Sequence, residues 1–220
     1  MKLAFVGGTG PEGLGLAIRF AHAGHEVAIG SRSTERGEEG AQKVRDAVPG
    51  AKATGGANAD VLADADVVFL TFPYSGQKDT LEALGVLLDG KIVCDVVAPL
   101  DFVQGVGAVA INVEGKSAAQ EAAAQLPNAT VVSAFQNMSA EKLMDLGHPV
   151  DCDVLVCGKD AEAKQVIIRL ANEIDGVRGV DAGGLSQSRY VEMITSLLIN
   201  LNRKHKTHTS IKIVGCRWRR

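Results

Sequence analysis

Apolar runs alternate with amphipathic segments in the first half of the chain. Four short runs are rich in apolar residues, as strands buried in a parallel sheet are: residues 3–7, 26–30, 66–71 and 91–95. Two segments have the apolar spacing of helices, residues 14–23 and residues 34–48. Thr34 is the predicted N-cap of the second. The alternation of strand and helix predicts an α/β fold with a doubly wound, mainly parallel sheet.

The second half of the chain is less regular. Its periodicity predicts helices, the first capped by Ser117, at residues 117–125, 160–174 and 186–202. Apolar runs predict strands at residues 129–135 and 153–158 and a short edge strand at residues 211–214, whereas the Gly- and Val-rich residues 104–110 predict a loop. We expect a first domain over residues 1–150, a small C-terminal helical or α+β part over residues 151–215, and a tail at residues 216–220.

The composition is that of a globular protein, since 46% of the 220 residues are hydrophobic and 22% are charged. No apolar run reaches the roughly 18 residues of a membrane span, and aromatic residues, at 4%, are few for a base-stacking surface. We therefore expect no membrane and no nucleic-acid partner. Residues 203–220 carry seven Lys or Arg and no acid. This basic end is interpreted as a solvated tail, with an anionic ligand or nucleic acid as the alternative.

The cysteines give information about the compartment. Cys94 and Cys157 lie inside apolar runs, and the four cysteines of the chain form no CxxC pair. Buried free thiols are usual where the surroundings are reducing, so we expect a cytoplasmic protein. No Cys and His cluster has the spacing of a metal site, and no metal is expected.

A glycine-rich motif follows the first predicted strand and precedes the first predicted helix. In Gly8-x-Gly10-x-x-Gly13, Gly8 permits a sharp turn, Gly10 lets the backbone approach a pyrophosphate, and Gly13 lets the helix pack on the strand. The free N–H groups of the helix start favour phosphate. The motif predicts a Rossmann-type dinucleotide site that is contacted by Gly8, Thr9, Gly10, Pro11, Glu12 and Gly13.

The end of the second strand indicates which dinucleotide binds. NAD sites usually place an acid there, whereas this chain has Ser31, Arg32 and, further on, Arg36. Hydroxyl and guanidinium groups suit the extra 2′-phosphate of NADP. The alternative is an ordinary polar loop.

Two further segments follow buried strands at the edge where such sheets bind ligands. These segments are Thr71, Phe72 and Pro73 after one strand, and Val97, Ala98 and Pro99 after the next. We expect them to flank the ribose or nicotinamide, and the alternative is that they only pack as loops.

Taken together, these motifs resemble one family, the NADPH-dependent reductases of the deazaflavin coenzyme F420. The resemblance extends to about residue 215 and is most specific at residues 181–192. Other matching segments are Gly7-Gly8-Thr9-Gly10 with Gly13, Gly30-Ser31-Arg32, Val97-Ala98-Pro99-Leu100, and residues 132–135, 154–158 and 173–176.

The resemblance implies an oxidoreductase and homodimer that transfers hydride between NADP and coenzyme F420. It implies NADP contacts at Thr9, Ser31, Arg32 and Arg36. It implies that the C-terminal part covers the deazaflavin, with deazaflavin contacts at Val97, Pro99, Gln136, Met138 and Thr195. The last predicted helix has a broad apolar face, which predicts the surface of the homodimer, with packing inside the subunit as the alternative: Tyr190, Ile194, Leu197, Leu198 and Leu201. The family often has His where this chain has Gln136, which can still form hydrogen bonds but cannot carry a proton.

No catalytic side chain is expected, because two redox cofactors carry the chemistry and the protein positions them. One alternative is an NADP-dependent reductase of an imine or keto acid, which usually needs a proton donor and a longer helical C-terminal domain. The other is a non-catalytic domain that senses NADP.

Overall fold

The computed structural model describes residues 1–114 and 116–215; the predicted tail at residues 216–220 lies outside them. The described strands are β1 (Lys2–Val6), β2 (Glu26–Ser31), β3 (Ala53–Ala57), β4 (Val67–Leu70), β5 (Ile92–Asp95), β6 (Leu100–Val103), β7 (Gly107–Ala110), β8 (Thr130–Ser133), β9 (Cys152–Gly158) and β10 (Val177–Gly183). The described α-helices are α1 (Pro11–His22), α2 (Thr34–Ala47), α3 (Gln77–Leu84), α4 (Ala118–Gln125), α5 (Ala140–Met144), α6 (Ala161–Asn172) and α7 (Ser188–His205).

Eight strands form one sheet in the order β10-β9-β8-β5-β4-β1-β2-β3. Every neighbouring pair is parallel except β8 and β9, which are antiparallel. This confirms the doubly wound, mainly parallel, Rossmann-type α/β fold. The antiparallel step falls near the predicted boundary at residue 150, and β9 and β10 extend the same sheet. The division into two parts stays a prediction.

Alternate residues of each central strand enter opposite halves of the core, as the strand period requires. Leu3 and Phe5 of β1 belong to one apolar cluster with residues of α1, α2 and α6, whereas Ala4 and Val6 belong to another with residues of α3 and α4. Helices therefore cover both faces of the sheet, which is why its strands are almost wholly apolar.

Three predictions of local structure are corrected. Residues 104–110 are not simply a loop, because β6 and β7 form an antiparallel hairpin whose turn contains Gly105 at φ 80°. Residues 211–214 form no regular strand, although the Asp153 N–H donates to the Ile211 carbonyl at 2.7 Å. The N-cap of α2 is Ser33, whose hydroxyl accepts the Arg36 N–H, instead of Thr34. The predicted Ser117 cap of α4 is confirmed.

Candidate functional site

The glycine-rich motif forms a tight turn from β1 into α1. The Gly8 N–H donates to the Gly30 carbonyl at 2.9 Å, and a Cβ at Gly8 would lie 2.6 Å from the Cβ of Phe5. A Cβ at Gly13 would lie 2.5 Å from Thr71 Oγ1. Gly10, the N-cap of α1, makes no such close contact, and no side chain caps the helix. The backbone N–H groups in the first turn of α1, at Glu12 and Gly13, have no side-chain cap and are therefore available to a ligand.

A first cavity of about 350 Å³ opens beside this turn, over the ends of β1, β2 and β4. It brings together eight of the residues predicted to bind a cofactor: Thr9, Gly10, Ser31, Arg32, Arg36, Thr71, Phe72 and Pro73. Ser31 is buried, whereas the guanidinium groups of Arg32 and Arg36 are exposed at its rim. The tip of β2 thus presents positive charge and a hydroxyl, as an additional phosphate requires.

Sequence reasoning missed Asn58 in this first cavity. Its side-chain Oδ1 accepts the Gly7 N–H at 3.1 Å, and its backbone N–H donates to the Ser31 carbonyl at 2.8 Å. Asn58 therefore fixes the phosphate turn to the tip of β2. It directly follows β3, an edge strand with two glycines that the apolar pattern did not identify either.

A second cavity of about 570 Å³ lies over the ends of β5 and β8, next to α7. It brings together five of the predicted site residues: Glu12, Ala98, Gln136, Met138 and Thr195. β4 and β5 are neighbours in the sheet, so the two cavities follow one another along its carboxyl edge.

The remaining predicted residues lie elsewhere. Val97 is packed in the core, while its neighbour Val96 lines the second cavity. Pro99 lines a separate small cleft with Met193. Pro11 is exposed at the start of α1. The cofactor roles given to all these residues stay predictions.

Gln136 faces the second cavity with one half of its amide. Its Nε2 donates to the Asp95 carbonyl at 3.0 Å and to Ser133 Oγ at 2.7 Å. Its Oε1 is buried and accepts no hydrogen bond from the described residues. The preceding residue, Phe135, has φ 76°, and its buried ring packs against Phe69. Gln136 is therefore held by its amide nitrogen at the wall of the second cavity, and its buried amide oxygen has no partner among the described residues.

Thr195 joins α7 to the same loop. Its hydroxyl donates to the Gln136 carbonyl at 3.1 Å and accepts from Asn137 Nδ2 at 3.0 Å. Asn137 also donates to the Val191 carbonyl at 2.9 Å. The polar atoms of Thr195 are thus occupied in positioning the loop.

Three acidic side chains near this edge have raised pKa values. Burial raises the pKa of Glu12 to about 8 and that of Glu192 to about 7. Burial, and then the charge of Glu192, raises the pKa of Asp95 well above its usual range. The Asp95 Oδ1 accepts the Val97 N–H at 2.8 Å, which shapes the chain after β5.

Cys94, Cys152 and Cys157 are buried free thiols, as expected for the first and third. Across residues 1–114 and 116–215, no group of three or more His, Cys, Asp or Glu side chains is arranged to hold a metal ion. Among the helices that the structure describes, none is both long and apolar enough to cross a bilayer.

The fold and the first cavity define a dinucleotide-binding protein of the Rossmann type, with a second cavity at its cofactor edge. Residues 2–99 match the family described as NADP oxidoreductase, coenzyme F420-dependent. An F420-dependent NADP reductase of Methanocaldococcus jannaschii is 43% identical over 98% of this chain and 99% of that protein. One from Methanothermobacter marburgensis is 43% identical over 94% of each chain.

A solved structure agrees with these relatives. The structure of a proposed F420-dependent NADP reductase from Arthrobacter sp. FB24 superposes with a TM-score of 0.83 at 30% identity, over 98% of this chain and 100% of that one. The chain belongs to the family of F420-dependent NADP reductases. The resemblance inferred from the sequence motifs is confirmed.

Proposed function

We propose that the protein transfers hydride between NADP(H) and the deazaflavin ring of coenzyme F420. The observation that carries this proposal is the pair of cavities along one edge of the sheet, at the carboxyl ends of adjacent strands. Two rings that meet between β4 and β5 would exchange hydride directly. The protein's part is to hold the donor and acceptor carbons about 3–3.5 Å apart and to exclude water.

In the first cavity, the turn at residues 8–13 receives the pyrophosphate on its free N–H groups. Ser31, Arg32 and Arg36 receive the 2′-phosphate, because they supply one hydroxyl and two cations and no acid lies at the tip of β2. Thr71, Phe72 and Pro73 form the wall towards β4, where the nicotinamide ribose would pass.

In the second cavity, Ala98 and Met138 offer apolar surface to the deazaflavin ring. Gln136 Oε1 accepts a ring N–H. Thr195 acts through the loop, since its hydroxyl is occupied by Gln136 and Asn137. Val97 and Pro99 contribute through the backbone path after β5, on each side of Ala98.

Within α7, Thr195, Ile199 and Asn202 line the second cavity. This supports the division of the chain into an NADP-binding part over residues 1–150 and a part over residues 151–215 that covers the deazaflavin.

The test is an anaerobic assay of the purified protein with NADPH and oxidised F420, in which deazaflavin absorbance falls as NADPH is consumed. A parallel panel of imines and keto acids tests the alternative reductase. Binding of NADPH without turnover of any acceptor would favour an NADP-sensing domain. Turnover of an imine or keto acid and not of F420 would contradict the proposal.

We further propose a cytoplasmic homodimer that uses α7 and the β6–β7 hairpin. The hairpin exposes Phe102 at 69% and Val106 at 65%, and α7, which packs against β7, exposes Tyr190 at 60% and Leu197 at 55%. Apolar patches of this kind usually mark an interface. Leu198, also part of the predicted apolar face, is buried within the subunit. A sedimentation coefficient of a 23.0 kDa species at micromolar concentration would exclude the dimer.

A further inference from the structure

Glu12 belongs to the phosphate-loop motif by sequence but to the other cavity by position. Gly10, two residues earlier, lines the first cavity, whereas Glu12 lines the second together with Gln136, Met138 and Thr195. The first turn of α1 thus separates the two cavities. A carboxylate beside a pyrophosphate would be repelled, so its place on the other side of the turn suits a different ligand.

The carboxyl of Glu12 lies on a half-buried residue at the start of α1. Its Oε1 is buried and accepts no hydrogen bond within the described part of the chain. The other titratable side chains that line the same cavity are Glu141 on α5 and, beyond α7, Lys206 and His208. His208 pairs with Glu141 at 3.1 Å. On α1 itself, Arg19 donates to backbone carbonyls of residues 142–148.

Burial favours the neutral acid over the carboxylate, against the positive charge of Lys206 in the same cavity. Burial raises the pKa of Glu12 to about 8, although a helix N-terminus by itself favours the carboxylate. With this pKa, the Glu12 carboxyl is mainly protonated at pH 7. A neutral carboxyl donates one hydrogen bond, which a carboxylate cannot do.

Glu12 and Gln136 complement each other in the cavity wall. The amide of Gln136 has only its acceptor free, because Nε2 is bound to Asp95 and Ser133. A protonated Glu12 adds a donor to the same wall. One donor and one acceptor suit a planar ring that carries both a carbonyl and an N–H, as the pyrimidinedione edge of a deazaflavin does.

We infer that Glu12 is a neutral hydrogen-bond donor to the deazaflavin ring, and that ionisation of its carboxyl weakens the binding of that ring but not of NADPH. This inference rests on the proposed function, because it takes the deazaflavin as the ligand of the second cavity. It assigns Glu12 a role in recognising a ring that carries a carbonyl, and it makes the affinity for that ring dependent on pH.

The test is the dissociation constant of oxidised F420, measured by fluorescence titration at about pH 6.5 and about pH 9.5. The wild-type protein is compared with Glu12→Gln, which keeps an N–H donor but does not titrate. With a pKa of about 8, the wild-type constant should rise about 30-fold more than that of the variant. The 8-hydroxyl of the deazaflavin also titrates, but it does so equally in both proteins. NADPH affinity serves as the control and should change alike in both.

Equal pH dependence of F420 binding in the two proteins would overturn the inference. A second measurement uses the wild-type protein alone and so does not depend on the folding of a variant. ¹³C NMR of glutamate-labelled wild-type protein gives the titration of the Glu12 carboxyl directly. A midpoint near the ordinary value of 4.5 would also overturn the inference. If the wild-type protein binds no F420 at about pH 6.5, the proposed function fails with it. If F420 binds normally and only the Glu12 effect is missing, the proposed function stands.

Discussion

Glu192 on α7 caps α4 at Ala118, across 74 residues of sequence: its Oε2 accepts the Ala118 N–H at 2.8 Å, and its Oε1 accepts the Ala119 N–H at 3.2 Å. Ser117 caps the same helix locally, through the Gln120 N–H. The carboxyl is almost fully buried, and burial raises its pKa to about 7 from an ordinary 4.5. The contact ties α7, which lines the second cavity, to the helical layer of the sheet.

This contact predicts how stability depends on pH. The unfolded chain releases the Glu192 proton near pH 4.5 and the folded protein near pH 7, so the folded state binds more protons between these values. The contribution of Glu192 to the free energy of unfolding should therefore fall as pH rises from about 4.5 to 7 and then level off. Urea denaturation of wild-type protein and Glu192→Gln at pH 5 and pH 8 measures it. Relative to wild type, the Gln variant should gain about 2 kcal/mol between the two pH values.

Glu192→Ala provides the control for the capping role. It removes both acceptors and leaves buried N–H groups of α4 unpaired, so it should be less stable than Glu192→Gln by about 1–3 kcal/mol. This difference should be the same at pH 5 and pH 8, because neither side chain titrates. Identical pH profiles of stability for wild type and Glu192→Gln would show that the pKa of Glu192 is the same in the folded and unfolded states, which would contradict the prediction.

The choice of nucleotide should depend on Arg32. We expect the protein to favour NADPH over NADH by at least about 2 kcal/mol in kcat/KM, because a hydrogen bond to a charged group contributes about 1.5–3 kcal/mol. Arg32→Ala should raise the KM for NADPH far more than that for NADH. Lys43→Ala, an exposed position on α2 that does not line the cavity, removes the same charge as a control. Equal use of both nucleotides by the wild-type protein would contradict the prediction.

Gln136 should determine deazaflavin affinity. Gln136→Ala removes the free acceptor and the two bonds that Nε2 makes to Asp95 and Ser133. We expect F420 binding to weaken by at least about tenfold, equivalent to about 1.4 kcal/mol, with NADPH affinity almost unchanged. Gln136→His should keep activity, because one ring nitrogen can donate within the loop while the other accepts. Unaltered F420 affinity in the Ala variant would place the contact elsewhere.

The central sheet was predictable because its strands have to be apolar on both faces. β1, β4 and β5 stand out as short apolar runs between polar segments. β3 did not, because it is an edge strand with the sequence Ala-Thr-Gly-Gly-Ala. Its glycines have a packing reason that no local pattern reveals: a Cβ at Gly55 would lie 2.2 Å from the Gly37 carbonyl oxygen of α2.

The first cavity was predictable for a similar reason, since its predicted residues lie in three short segments that follow β1, β2 and β4. The second cavity is assembled from distant segments that only the folded chain brings together. Arg19 shows the difficulty. It lies on the buried side of α1 and looks like an interruption of an apolar face, yet it is 4% exposed and donates to the Leu143 carbonyl at 2.9 Å. Such contacts span more than 100 residues, and no spacing rule anticipates them.

Two glycines of the phosphate turn should fail in different ways when replaced by alanine. At Gly13 the new Cβ would lie 2.5 Å from Thr71 Oγ1 and 2.9 Å from the Gly8 Cα, so the helix would have to move off the strand. Gly13→Ala should therefore lower stability by about 1–3 kcal/mol, the usual cost of overpacking.

At Gly10 the nearest atom would be 3.7 Å away, and the φ of −71° is accessible to alanine. Gly10→Ala should keep the wild-type melting temperature within a few degrees. Its methyl group instead occupies the approach to the pyrophosphate, so NADPH should bind at least about tenfold more weakly. Thermal denaturation and NADPH titration of both variants separate the two effects. Tight NADPH binding by a stable Gly10→Ala protein would mean that the pyrophosphate does not lie on this turn.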